Sequence, residues 1–331
     1  MNKTLSTILV LAFLIAVTGA LAFGYYFEEM GEGQEVGANE ITDENPAEVF
    51  PTIYVTIATH NEDVDYTVET DTFWEHRKGL VDFMAMLKIE GVDYNYQTDW
   101  AFIEAAYEHD TGTPSTNGKN IFRYITENMG FELDTSFHTT SVNEADAAYL
   151  LDQMGATLSS TVGGFLVSGS ESRFAEYYSP VQGLLYDYTW TANIVWGGAT
   201  MGHQDEEEYW VSGMWNPASS EEYMVHDPTV DLIAVGIYEQ GWDGLTDLLE
   251  KQAAGELDPN KIYTATIFAP QENLVDPAKI SKFRADIRKH TEYTQSGKMQ
   301  WVGIADLPAI WDQEYNSQPN IYSYFHGHLL D

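Results

Sequence analysis

What most constrains this chain is a repeated change of hydrophobic period. From Pro51 onward, short runs of β-branched and apolar residues alternate with longer stretches whose apolar residues recur every three or four positions. Thr52 to Thr59 (TIYVTIAT) has the make-up of a buried strand. Asp71 to Ile89 then predicts a helix, with Phe73, Leu80, Met84 and Leu87 on one face and Gly91 as its stop. A strand over Val92–Gln97, helices over Trp100–His109 and Asn120–Met129, and a strand over Phe131–Phe137 follow. Asn143 is placed to cap a helix with Ala147, Leu150, Leu151 and Met154 inward, ended by Gly155. Ala156–Val162, Ala192–Gly197, Leu232–Ile237, Ile262–Phe268 and Met299–Gly303 complete the strands. Asp276-Pro277 opens a helix carrying Ile280, Phe283 and Ile287, and a short helix through Trp311 ends the pattern. Gly198 to Asp227, rich in Gly, Trp and acids, shows no clear period, and a stretch of that length is expected to be functional.

Seven or eight strands separated by helices place residues 51–331 in the α/β class, as a (β/α) barrel. No Gly-rich phosphate loop follows any strand, which argues against a nucleotide-binding fold. Residues 1–24 read as a targeting segment. Lys3 is the sole basic residue before the apolar run Leu5–Phe23, and Ala20-Leu21-Ala22 offers cleavage after Ala22. The run approaches the roughly 20 residues that span a bilayer, so a retained membrane anchor is the other outcome. Residues 25–50 form a linker expected to be disordered: between Glu28 and Glu48 it holds eight acidic residues and no basic one. Together these predict an extracytoplasmic protein, freed or tethered to the outer face of the membrane. The chain has no cysteine, which excludes disulfides, Cys-ligated zinc, thiol catalysis and a lipoprotein anchor. Its 52 acidic and 15 basic residues, a net charge of −37, argue against nucleic acid as a partner.

In a (β/α) barrel, functional groups gather at the carboxyl ends of strands. His60, Asn61, Glu62 and Asp63 follow the first strand, Asp99 and Trp100 the second, and His138 the third. The central stretch adds His203, Asp205 and His226. These imidazole and oxygen donors suit zinc or a harder divalent ion. Among the remaining histidines, His76 and His290 fall within surface helices and are expected to be solvated. His109 ends a helix, where a cation is favoured. Trp100, Trp190, Trp196, Trp210 and Trp215 surround the same strand ends, and flat aromatic rings stack on sugar faces.

These residues resemble the polysaccharide deacetylase group of the glycoside hydrolase/deacetylase barrel superfamily. The resemblance spans roughly Pro51 to Tyr315. It rests on Thr59-His60-Asn61-Glu62-Asp63, His138, Gly163-Gly164-Phe165 after the fourth strand, Ser212 to Pro217, and Gly297 to Trp311. It departs where the group has Thr-Phe-Asp-Asp-Gly, and where a second histidine would stand four residues past His138; here that residue is Val142. The resemblance implies a metal-dependent hydrolase acting on an acetylated glycan, with zinc the expected metal. His60, Glu62 and His138 would hold the metal, Asp63 or Asp99 would be the base, and His203 or His226 the acid. Trp100, Trp196 and Trp215 would contact substrate. Two alternatives stand beside it: a glycoside hydrolase using Asp99 and Asp205 as paired carboxylates, and a non-catalytic cell-surface or carbohydrate-binding barrel.

Overall fold

A computed structural model describes residues 50–61, 66–136, 141–166, 172–198, 208–239 and 241–326. Seven parallel strands form its centre. They are β1 (Ile53–Asn61), β2 (Asn95–Thr98), β3 (Glu132–Thr135), β4 (Thr161–Leu166), β5 (Ile194–Gly198), β6 (Ile233–Gly236) and β7 (Tyr263–Phe268). Their spatial order is β7-β1-β2-β3-β4-β5-β6, so each pairs with its neighbour in sequence and β7 returns to β1. The remaining gap, between β6 and β7, is bridged by side chains and one backbone bond. Thr266 N donates to Ile237 O at 2.9 Å, and Thr264 Oγ1 donates to Gly236 O at 2.6 Å. The sheet is a nearly closed barrel, as the alternation of periods requires.

An eighth strand, β8 (Met299–Trp301), enters as a wedge. It pairs with Ile53 to Val55 of β1, whereas β2 pairs with Ala58 to Asn61. Since β7 pairs with Ile53 to Ala58 along the opposite edge of β1, β8 and β2 share one edge end to end.

Alternation along β1 fixes two layers. Ile53, Val55 and Ile57 pack outward against Phe73, Leu80, Met84 and Leu87 of α1 (Thr70–Glu90). Tyr54 and Ala58 pack inward with Trp196, Ile304 and Trp311. The outer layer continues with α2 (Trp100–His109), α3 (Glu144–Gln153), α4 (Trp242–Ala253) and α5 (Pro277–Lys289), whereas α6 (Leu307–Tyr315) packs Leu307 and Trp311 with the inward cluster. Asn143 caps α3 in a reciprocal capping box with Asp146. Arg77 of α1 forms a buried bidentate pair with Asp110 at 2.7 and 3.0 Å, and Asp110 also accepts Ile121 N at 2.7 Å.

Three expectations need correction. The fourth strand runs over Thr161–Leu166, because Ser159 and Thr161 are first drawn to Asp134 by hydrogen bonds. Gly163-Gly164-Phe165 therefore lies within that strand and not after it. Helix α4 carried no sequence expectation; its apolar stripe is only Leu245, Leu248 and Leu249 amid acidic and polar residues. The central stretch has regular structure in its described part: strands Glu208–Ser212 and Met214–Trp215 flank Gly213. Gly213 sits at φ 108°, where a Cβ would lie 2.3 Å from Asn320 O. Strand Met214–Trp215 runs antiparallel to β6, and Glu208–Ser212 pairs with Tyr322–His326. The expected targeting segment and linker lie outside the described residues.

Candidate active site at the carboxyl end of the barrel

The inward alternation of β1 continues to His60, its next-to-last residue. The imidazole is half-buried and held on two sides by ring edges. Phe268 of β7 lies 4.9 Å away and Trp196 of β5 lies 5.5 Å away, centroid to centroid. Trp196 is fully buried, and its Nε1 donates to Thr266 Oγ1 at 3.1 Å. It forms the floor beneath His60, with no face open to a sugar.

Gln97 of β2 stands directly beside His60 in register. It is fully buried, and neither atom of its amide has a hydrogen-bond partner among the described residues. Its side chain reaches across to β4, into space left by Gly163, where a Cβ would fall 1.6 Å from Gln97 Oε1. An unpaired buried amide costs about 1–3 kcal/mol unless something from outside completes it.

Behind β1 a polar cluster braces the same strand end. Asn61 Nδ2 donates to Tyr96 Oη at 2.7 Å, and Tyr66 Oη donates to Asn61 Oδ1 at 2.7 Å. Tyr66 Oη also lies 2.8 Å from His76 Nδ1, and Gln271 Nε2 is 3.1 Å from Tyr66 Oη. Burial lowers the His76 pKa and raises those of Tyr66 and Tyr96. His76, expected in solvent, thus belongs to a neutral internal network. His290 likewise stacks on Trp242 at 5.1 Å.

The other expected site residues divide. Asp99 follows β2 as foreseen, but its carboxylate caps α2 by accepting Phe102 N at 2.9 Å. Trp100 follows it, half-buried against the outer helical layer. Trp215 is fully buried, with Nε1 donating to Tyr223 O at 2.6 Å, and is a core residue. His226 is at the wrong end of the barrel: it accepts Asn216 N at 3.1 Å and touches Trp311, while Asn216 Nδ2 reaches Leu232 O just before β6 begins. Glu62, Asp63, His138, His203 and Asp205 lie outside the described residues. Among the described residues, no three His, Asp or Glu side chains converge as a metal site. The described mouth offers one imidazole and one amide oxygen, compatible with an N/O-ligated metal but not sufficient for one.

Asn61 was among the expected donors, but Gln97 and the cluster that Tyr66, Tyr96, His76 and Gln271 build around Asn61 were not foreseen. The signal for Gln97 was its place on a strand paired in register with His60, which the sequence alone does not fix.

No family profile matches the sequence, and no curated protein matches it. Several solved structures align at low identity. A protein assigned as a glycoside hydrolase/deacetylase from Parabacteroides distasonis aligns with TM-score 0.48 and 12% identity, over 82% of this chain and 73% of its own. One assigned as a polysaccharide deacetylase from Pseudomonas aeruginosa gives TM-score 0.46 and 11% identity, over 80% of this chain and 93% of its own. A 4-alpha-glucanotransferase from Thermococcus litoralis gives 0.43 and 13%, over 82% of this chain; the chain spans only 40% of that enzyme.

Proposed function

We propose that the protein is an exported hydrolase acting on an acetylated polysaccharide at the carboxyl end of its barrel. The observation that carries this reading is the His60–Gln97 pair. Two polar side chains face the interior side by side at the mouth, and the Gln97 amide is buried without a partner among the described residues. A buried amide without a partner among the described residues, beside an imidazole at the barrel mouth, supports a site completed by a ligand.

In this reading His60 is one ligand of a divalent metal, expected to be zinc. Glu62 and His138, next in sequence after β1 and β3, are proposed as the others. A bound metal would supply an activated water and polarise the acetyl carbonyl. Trp196 and Phe268 hold the imidazole plane, so His60 presents its nitrogens without rotamer search. Asp63 is preferred to Asp99 as the base, since Asp99 is committed to capping α2. Export rests on the apolar N-terminal run and the acidic linker; mass analysis of the mature N-terminus distinguishes a chain beginning at Phe23 from a retained anchor.

The test is metal content together with acetate release from acetylated oligosaccharides. The wild type is expected to carry about one zinc per chain and to release acetate. His60→Ala, folded by circular dichroism, is expected to lose the metal and at least about 100-fold of the activity. Full metal occupancy in His60→Ala, or release of reducing sugar in place of acetate, overturns the proposal.

A further inference from the structure

On the outer side of the β7 carboxyl end, a cavity of about 340 Å³ opens between α1, α4 and α5. Its size falls within the roughly 300–1,000 Å³ typical of small-ligand pockets. The lining is aromatic and aliphatic: Phe83 of α1, Trp242 of α4, Leu274, and Ile280 and Phe283 of α5. Phe283 meets Phe83 at 5.2 Å and Trp242 at 5.4 Å, both edge-on, so the walls are mutually fixed. Trp242, Ile280 and Phe283 remain half-buried, leaving apolar surface open to an occupant.

The rim is cationic on a chain that is otherwise strongly acidic. Helix α5 carries five of the 15 basic residues of the whole chain; Lys279 and Lys282 line the cavity, while Arg284 and Arg288 are paired with Glu90. Asp286 is the helix's one acid, and it answers both Lys282 at 3.0 Å and Lys289 at 2.6 Å. Among the described residues, Lys279 reaches only the neutral amide oxygen of Asn273. The cavity edge therefore holds more positive than negative charge, where the long-range field of the chain repels anions.

We propose that this cavity binds a small amphipathic carboxylate, its apolar body against Phe83, Trp242 and Phe283 and its anionic head toward Lys279 and Lys282. Phe268, which holds His60 edge-on, also borders this cavity, but the proposed binding does not depend on the activity proposed at the mouth.

Calorimetric titration of the full chain with 1-naphthoate and with octanoate tests it, and 1-naphthalenemethanol serves as the uncharged control. One of the carboxylates is expected to bind at a single site with Kd of about 1 mM or tighter, by the efficiency of drug-sized ligands. The alcohol is expected to bind several-fold more weakly. Ile280→Trp, which fills the cavity, is expected to weaken binding about tenfold or more. The double variant Lys279→Gln/Lys282→Gln changes only exposed side chains, so it keeps the fold, and it is expected to erase the preference for carboxylate over alcohol. No saturable binding of either carboxylate, equal binding by the alcohol, or carboxylate binding unchanged in both variants overturns the proposal.

Discussion

Glu132 and Asp134 point into the barrel from β3 and share the amide of Asn95, whose Nδ2 lies 2.9 Å from Glu132 Oε2. Glu132 also accepts Ile304 N at 2.9 Å and Ala305 N at 2.8 Å, and Asp134 accepts Ser159 Oγ and Thr161 N. The two carboxyls fasten the turn after β8 and the entry to β4 to one point. Burial pushes the Glu132 carboxyl up to about 8, with the Asp134 charge adding to it, and burial raises Asp134 to about 6. Folded pKa values above the unfolded ones mean that the folded state binds protons more tightly. The pair's contribution is therefore fully present below about pH 4 and is lost as pH rises through about 6 and then 8. Each group adds at most about 1.4 kcal/mol per pH unit to the slope. Glu132→Gln is expected to flatten the fall in unfolding free energy between about pH 5 and 8, measured by urea titration at several pH values. An unchanged slope would mean that Glu132 stays ionised throughout.

Among the elements, α1 holds one ion pair that is buried on both sides. Arg77 and Asp110 are almost fully buried, and the guanidinium also reaches Thr116 Oγ1 at 3.0 Å. Removing one partner strands the other charge. Arg77→Met is thus expected to cost about 3–5 kcal/mol, read as a lowered urea midpoint. Arg77→Met with Asp110→Leu is expected to recover part of that loss. Helix boundaries were readable wherever a cap states them. Asn143 and Asp276 start α3 and α5, and α2 matches its expected span from Trp100 to His109. Helix α4 was not readable, because three leucines amid acids give a weak stripe until α5 and β7 pack against it. At the candidate site, the strand pattern put His60 just past β1 and Asp99 at the end of β2; the structure keeps His60 within β1 and has Asp99 following β2 as the cap of α2. That pattern could not show that the Asp99 carboxylate turns to its own helix, or that Trp196 and Trp215 lie under the surface. Composition favours an exposed role for tryptophan near strand ends, whereas the barrel interior needs large side chains to fill it.

For the whole molecule, 52 acidic against 15 basic residues leave self-repulsion as a standing destabilising term. Salt screens it over about 10 Å at 0.1 M and about 3 Å at 1 M. The melting temperature is therefore expected to rise between 0.05 and 1 M NaCl, followed by circular dichroism. A flat or falling profile would show that ion pairs such as Glu90 with Arg284 and Arg288 outweigh the repulsion.

The wedge position of β8 has a consequence for biosynthesis. The amino half of β1 receives its partner on that edge from Met299 to Trp301, 246 residues further along the chain. While the ribosome is still making the intervening helices, Ile53 to Val55 present bare amides and carbonyls to the surroundings. Such an open strand recruits other chains. The nascent protein must then be kept apart from its copies until almost the last described strand has emerged, which favours a chaperone hold over folding in step with synthesis.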